Sequence, residues 1–175
     1  LSGGVVGGFI RDMPINKRRN WALGLGVGLS ANTYGHNLLI SKNQNGEGVF
    51  QVLDRDETPY NSNRFSTYMA EVPFQVRWRT SRPTNSSFYR IYAGFTLGYM
   101  YYFKSTFNGA ENTLTYTSLS ELNRLRTGVH LSIGSNFVNF HIQYNFNPLF
   151  DAQLQGSNAD LNFQILKFGF IFYML

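Results

Sequence analysis

Residues Phe137–Pro148 read FVNFHIQYNFNP. From Val138 the large apolar residues fall on every second position: Val138, Phe140, Ile142, Tyr144 and Phe146. Asn139, His141, Gln143, Asn145 and Asn147 fill the positions between them. Successive side chains of an extended chain point to opposite faces, so this period of two predicts a strand with one apolar and one polar face. On a helix the same residues would scatter around the cylinder. A soluble sheet buries such an apolar face. A membrane barrel turns it to lipid and lines its lumen with the polar one.

Composition favours the second arrangement. Charged residues make up 14% of the 175 residues, against about 25% in soluble domains, and aromatic residues reach 17%. Lysine occurs only at Lys17, Lys42, Lys104 and Lys167, although soluble sheets commonly guard their edges with it. The polar faces carry Asn, Gln, His, Arg, Ser and Gly, which suits a narrow lumen. No run of about 18 apolar residues is present, so a membrane helix is excluded. The length fits one domain, residues 1–175. With no cysteine there is neither a disulfide framework nor a thiol site. The chain begins at Leu1 without Met or a signal peptide, so a trimmed piece of a longer precursor is expected. The net charge of +5 is dispersed over strands and turns, and no nucleic-acid partner is expected.

The same alternation recurs along the chain. Gly3 to Asp12 reads as a glycine-rich strand, and Met13 to Asn20 as a basic turn with Lys17, Arg18 and Arg19. Trp21 to Ala31 places Trp21, Leu23, Leu25, Val27 and Leu29 on one face, with a continuation toward Ile40. Residues 41–62 read as a long polar loop holding a small hairpin around Gly46 to Leu53. Arg64 to Arg79 alternates again, with a local irregularity expected at Pro73. A turn at 80–87 leads to a strand over Phe88 to Phe103, which sets Tyr99 and Tyr101 opposite Met100 and Tyr102. After a second loop at 104–120 come a strand over Leu122 to Gly134, a tight turn at Ser135-Asn136, and the opening stretch. A third loop, 149–160, precedes the last strand, Leu161 to Leu175. There Leu161, Phe163 and Ile165 share a phase that would bring Lys167 onto the apolar face unless a bulge near Leu166 intervenes.

Short turns thus alternate with long loops, as in outer-membrane barrels. Trp21, Trp78 and Tyr89 gather beside short turns, and Tyr99 and Tyr101 beside a long loop, as two aromatic girdles. The predicted fold is an all-β, antiparallel up-and-down transmembrane barrel. Seven strands are counted, and single-chain bacterial barrels have an even number. Eight are therefore expected, the first lying upstream of Leu1 or unrecognised within the chain. The expected location is the outer membrane, in contact with its lipid, with long loops outside and the C-terminus in the periplasm.

The predicted lumen face carries Glu71, Arg77, Arg79, Arg90, Arg124, Arg126, His130, His141 and Gln143. An eight-stranded interior is just wide enough for side chains to fill, and buried charges there need partners. Glu71 among the arginines reads as a lumen ion network. It either fills and holds the barrel or, with its excess of Arg, forms a narrow anion-preferring path. His130 and Ser132 share this face, but the nearest acidic candidate, Glu121, lies beyond the strand end, so no catalytic triad is expected. His36 stands isolated near a loop. Asp54, Asp56 and Glu57 lack the spacing of a calcium loop. The glycines of GGVVGGF do not lead a strand into a helix, so no phosphate loop is supported. Neither a metal nor another cofactor is expected.

Four stretches carry a family resemblance: GFIRDMPINKRRN (Gly8 to Asn20), EVPFQVRWRTS (Glu71 to Ser81), FYRIYAGFTLGY (Phe88 to Tyr99) and FGFIFYML (Phe168 to Leu175). They resemble the PorT-type small outer-membrane barrels of Bacteroidota, over most of the chain. The resemblance implies a signal peptide and a further strand upstream. It also implies a role in type IX secretion and the linked gliding machinery, with a larger secretion barrel or a periplasmic ring protein as partner. It offers no catalytic residues. The function expected is that of a non-enzymatic subunit or accessory of type IX protein export. The alternatives are a small porin-like or structural barrel and, third, a lipid-modifying enzyme.

Overall fold

The computed structural model describes residues 2–43, 48–53, 60–80, 89–110, 112–135, 137–153 and 160–173. The turn expected at 80–87, the tip of the first long loop, Asp54, Asp56 and Glu57 fall wholly or largely outside them.

The described residues form ten strands: β1 (Gly3–Pro14), β2 (Trp21–Gly35), β3 (Leu38–Lys42), β4 (Gly48–Val52), β5 (Tyr60–Arg79), β6 (Tyr89–Gly109), β7 (Thr113–Tyr116), β8 (Leu125–Ser135), β9 (Val138–Asn145) and β10 (Leu166–Phe172). The main sheet runs β1-β2-β5-β6-β8-β9-β10, with β7 added to β6, and β3 and β4 form a separate ribbon. Every pairing is antiparallel. Inner-face glycines let the sheet curl: a side chain on Gly94 would collide with the Phe74 carbonyl of the next strand.

Among the described residues this sheet is open between β1 and β10. Both edge strands run from the long-loop end toward the short-turn end, as their pairings with β2 and β9 require. Two strands of the same direction cannot close an antiparallel barrel. An intervening strand of opposite direction would do so. The described residues supply seven of the eight strands expected.

Alternation sorts the wall as the period of two requires. On β6 Ile91, Phe95, Leu97 and Tyr99 point outward, whereas Arg90, Tyr92, Thr96 and Met100 are buried inside. The outward band on β5 extends from Trp78 up to Tyr68, about the 9–11 residues that a tilted strand needs to cross a bilayer. Trp21 and Trp78 are direct cross-strand partners at its lower edge, and Tyr68, Tyr101 and Tyr102 mark its upper edge. Above it β5 and β6 continue as a long ribbon.

Several expectations need correction. Tyr102 faces outward, not inward, because the register slips between Tyr68↔Tyr102 and Met69↔Met100. The extra residue, Tyr101, is a bulge that lets adjacent tyrosines share one face. The irregularity expected at Pro73 is present as a gap in the ladder: pairing with β2 skips Val72 and Pro73 and resumes in phase at Glu71↔Gly28. The β2 strand ends at Gly35, and Leu38–Lys42 turns away into the hairpin with β4. Part of the second loop is strand, since β6 runs to Gly109 and meets β7. The last strand begins at Leu166. Leu161, Phe163 and Ile165 are packed inward, and Lys167 continues their inward phase with no bulge.

Candidate functional site

The inner face divides into layers. At the short-turn end Asp12 of β1 is ion-paired with Arg77, and with Arg79 at 3.2 Å. The Arg77 guanidinium lies 4.0 Å from the Tyr92 ring centre and 5.3 Å from that of Tyr173, and Arg90 lies 5.4 Å from Tyr173. Such stacking attracts the cation to the negative ring faces while excluding water. Alternation aims these residues inward, and the pairings Arg77↔Tyr92 and Arg79↔Arg90 bring β5 and β6 together here.

The next layer is neutral. Ser132 Oγ and His141 Nδ1 are 2.7 Å apart, Thr96 Oγ1 and His130 Nδ1 are 2.9 Å apart, and the two imidazole rings are separated by 5.6 Å. Ser132 therefore partners His141 of β9, across the pair Ser132↔His141, and not His130 on its own strand. Glu121 is far from this pair: at the long-loop end its carboxylate accepts the Gly48 amide and the Ser120 hydroxyl, both at 2.9 Å.

Above the histidines Glu71 accepts a hydrogen bond from Ser30 at 2.7 Å, and Lys167 Nζ of β10 approaches it to 3.9 Å. This bridge crosses the interior from the edge strand to the β2–β5 wall. Among the described residues Glu71 makes no ion pair with an arginine; Asp12 takes that role. Gln143 donates to Asn145 at 3.3 Å. Arg126, fully buried, donates to the Pro148 carbonyl at 2.7 Å and ties the β9–β10 connection to the wall.

Arg124 does not join the network. It is exposed ahead of β8, where its carbonyl accepts the Met100 amide at 2.8 Å. The strand begins one residue later, so the sequence phase had no ladder to act on. Glu71, Arg77, Arg90, Arg126, His130 and Gln143 are buried in the interior, His141 is half-buried there, and Arg79 lies half-buried at the rim. Trp21, Tyr89, Tyr99 and Tyr101 lie on the outer wall, with Trp78 half-buried beside Trp21. Asp12, Ser30, Tyr92, Lys167 and Tyr173 complete the network and were not foreseen. Asp12 was visible only as the acid sharing a strand face with Gly8 and Ile10.

The long-loop half is apolar. Phe65, Met69, Met100 and Phe103 point inward and meet Leu38, Ile40 and Phe50 of the β3–β4 hairpin, with Leu149, Phe150, Leu161 and Ile165 closing over them. Among the described residues Phe65 touches five rings, those of Tyr34, His36, Phe103, Phe150 and Phe163, with Phe103 at 5.7 Å and Phe150 at 5.8 Å. Hydrogen bonds pin this cap: Asn63 Nδ2 to the Leu38 carbonyl at 2.9 Å, Leu53 N to Asn37 O at 2.7 Å, and Asp151 N to Glu121 O at 2.7 Å. His36 sits at the hinge, its Nδ1 accepting the Leu38 amide at 3.1 Å and its ring 4.9 Å from Phe65. Burial pushes its pKa down to about 4. Partial burial works against the Glu121 carboxylate, but bonds from Gly48 and Ser120 and the charge of Lys42 hold it below its ordinary range. The signal for this cap was present in sequence: Met69 and Met100 share the phase of the polar lumen residues.

Among the described residues the polar layers of the inner face are thus followed, at the long-loop end, by an apolar cluster. Among the described residues no cluster of His, Asp or Glu could hold a metal ion. The family model for an outer membrane protein beta-barrel domain matches residues 1–151. Neither the curated proteins nor the solved structures yield a match.

Proposed function

The chain belongs to the outer membrane protein beta-barrel domain family, and on that premise we propose that it works by surface contact, as a subunit or accessory of type IX protein export. The observation that carries contact over conduction is the apolar cap. Leu38, Ile40 and Phe50 fill the same end of the interior that Phe65 and Phe103 line, and an ion would have to shed its water to pass there. Export as the process rests on the four stretches that resemble PorT-type barrels, among them GFIRDMPINKRRN and EVPFQVRWRTS. In this reading the short turns face the periplasm and the capped end faces outward. The partner is a larger secretion barrel or a periplasmic ring protein.

The deciding experiment is the secreted-protein profile of a deletion strain with plasmid complementation. Loss of type IX cargo from the medium, restored by the plasmid, is the expected result. An unchanged profile would remove the export role and leave the barrel. Planar-bilayer recording tests the contact mechanism separately: the purified protein should give no steady conductance, and a reproducible channel would replace contact with transport.

A further inference from the structure

The short-turn end has a charge asymmetry that the lumen network does not use up. Among the described residues of this end, Arg11, Lys17, Arg18, Arg19, Arg77, Arg79 and Arg90 stand against one acid, Asp12. Asp12 is already shared between Arg77 and Arg79. Lys17, Arg18 and Arg19 are exposed at the tip of the β1–β2 turn. The described part of the β8–β9 turn, Ser135 and Phe137, carries no charge, so the positive field is confined to one side of this end.

The turn is also a built structure. The Asn16 side-chain amide donates to Asn20 Oδ1, while Asn16 Oδ1 accepts the Trp21 amide at 3.2 Å. The Asn16 carbonyl accepts the Arg19 amide at 3.0 Å. From β5, Arg79 clamps the other side: its Nε donates to the Arg19 carbonyl at 3.2 Å and its amide to the Asn20 carbonyl at 2.9 Å. Arg19 has a φ of 52° and is the one non-glycine residue with positive φ among those described. Glycine or asparagine would adopt that backbone more readily. A third cation therefore occupies the position where a side chain is least favoured.

We propose that this turn, with Arg79 behind it, is a docking site for an acidic segment of a periplasmic protein. The charge sets the sign of the partner, and the fixed geometry sets its class. Fluid headgroups are met as well by flexible basic side chains, which reach for phosphate wherever it lies. A turn held rigid by two asparagines and a clamp lowers the ordering cost of meeting a shaped partner. The site rests on the orientation proposed above but not on the export process, so the secretion profile and the binding test below fail independently.

The test uses the whole barrel in detergent, with a labelled polyglutamate peptide as one probe and phosphatidylglycerol vesicles as the other. The variant Lys17→Gln/Arg18→Gln/Arg19→Gly removes the charges, and Asn16→Ala/Asn20→Ala keeps them while loosening the turn. Peptide affinity should fall about tenfold or more in the first variant, as expected when complementary charges are lost, and about threefold in the second, from lost preorganisation. Vesicle binding should be unaffected by the asparagine pair. Equal peptide binding by wild type and the charge variant would overturn the site. So would an asparagine variant that binds the peptide like wild type, since charge alone would then account for the affinity. Vesicle binding that falls in step with peptide binding in both variants would reassign the turn to lipid headgroups. Labelling of Lys17→Cys by a bulky maleimide in intact cells would overturn the periplasmic placement.

Discussion

The two halves of the interior are lined by the same strands at the same alternating positions, yet their chemistry is opposite. On β5 the inward series passes from Arg77, Gln75 and Glu71 to Met69, Thr67 and Phe65; on β6 it passes from Arg90, Tyr92 and Thr96 to Met100 and Phe103. In the short-turn half the wall supplies counter-charges across strands: Asp12 for Arg77 and Arg79, and Glu71 for Lys167. In the long-loop half the wall has no partners of its own. The β3–β4 hairpin and the segments around Phe150 and Leu161 must fold in to cover it. Among the described residues, loop segments at the long-loop end are thus part of the core.

The contrast is most directly broken at Phe65, the residue joining wall and cap. Phe65→Ala should lower stability by about 3–5 kcal/mol, the usual result of emptying a buried aromatic site. Denaturant unfolding in detergent or lipid reads it. The parallel change on the lipid-facing wall, Phe95→Ala, should cost much less, because lipid fills the gap. Equal effects would mean that the cap is not a packed core.

The polar half should break differently, by unpairing. Glu71→Gln leaves half-buried Lys167 without its counter-charge, and a loss of about 1–3 kcal/mol is expected from that uncompensated ion. Adding Lys167→Met should recover most of the loss, since an apolar pair of similar volume needs no counter-charge. If the double variant is as unstable as the single, the bridge across the interior is not what Glu71 contributes.

A smaller effect separates the halves by pH. An ordinary histidine titrates near 6.5, and burial moves His36 to about 4. The unfolded or opened chain therefore binds the proton first, and the stability contributed by neutral His36 is complete above pH 6.5. It is lost as pH falls from 6.5 toward 4, amounting to about 2 kcal/mol once partial exposure is allowed for. Glu121, held below its ordinary value of 4.5, gives up its share only lower still. Amide exchange at Leu53, bonded to Asn37, should accelerate across that upper window in wild type and not in His36→Gln. The same slope in both would assign the acid sensitivity elsewhere.

How far the sequence reading reached follows from the same division. Alternation alone sorted β8, β9 and the lower parts of β2, β5 and β6, because a period of two needs only local backbone geometry. It failed where facing was decided by distant packing. Leu161, Phe163 and Ile165 read as lipid-facing because apolar was equated with outward. With a cap to pack against, inward is equally apolar, and Lys167 then needs no bulge. The slip at Tyr101 was hidden because Tyr101 and Tyr102 are chemically identical, so a shift of phase leaves no mark in the pattern. Arg124 was assigned a lumen role from phase alone, one residue before the ladder begins. Which cation meets Glu71 depends on how the sheet curls, and no spacing along the chain encodes that.

The smallest expected effect sharpens the contrast from outside the lumen. Arg19 holds a positive φ in the basic turn, so Arg19→Gly should raise stability by about 0.5–1 kcal/mol through relief of that backbone. Among the described residues its side chain makes no bond that such a change would remove; the Arg79 clamp reaches its carbonyl, which glycine retains. A gain in midpoint with an unchanged denaturant slope would show that a cation occupies a site where the fold alone favours glycine. Natural chains keep such arrangements chiefly where the side chain serves something other than stability. The core at either end has no equivalent: Phe65→Ala and Glu71→Gln are both expected to lower stability. A neutral or destabilising Arg19→Gly would instead make the arginine part of the turn's own architecture, and the turn would then belong with the lumen as structure.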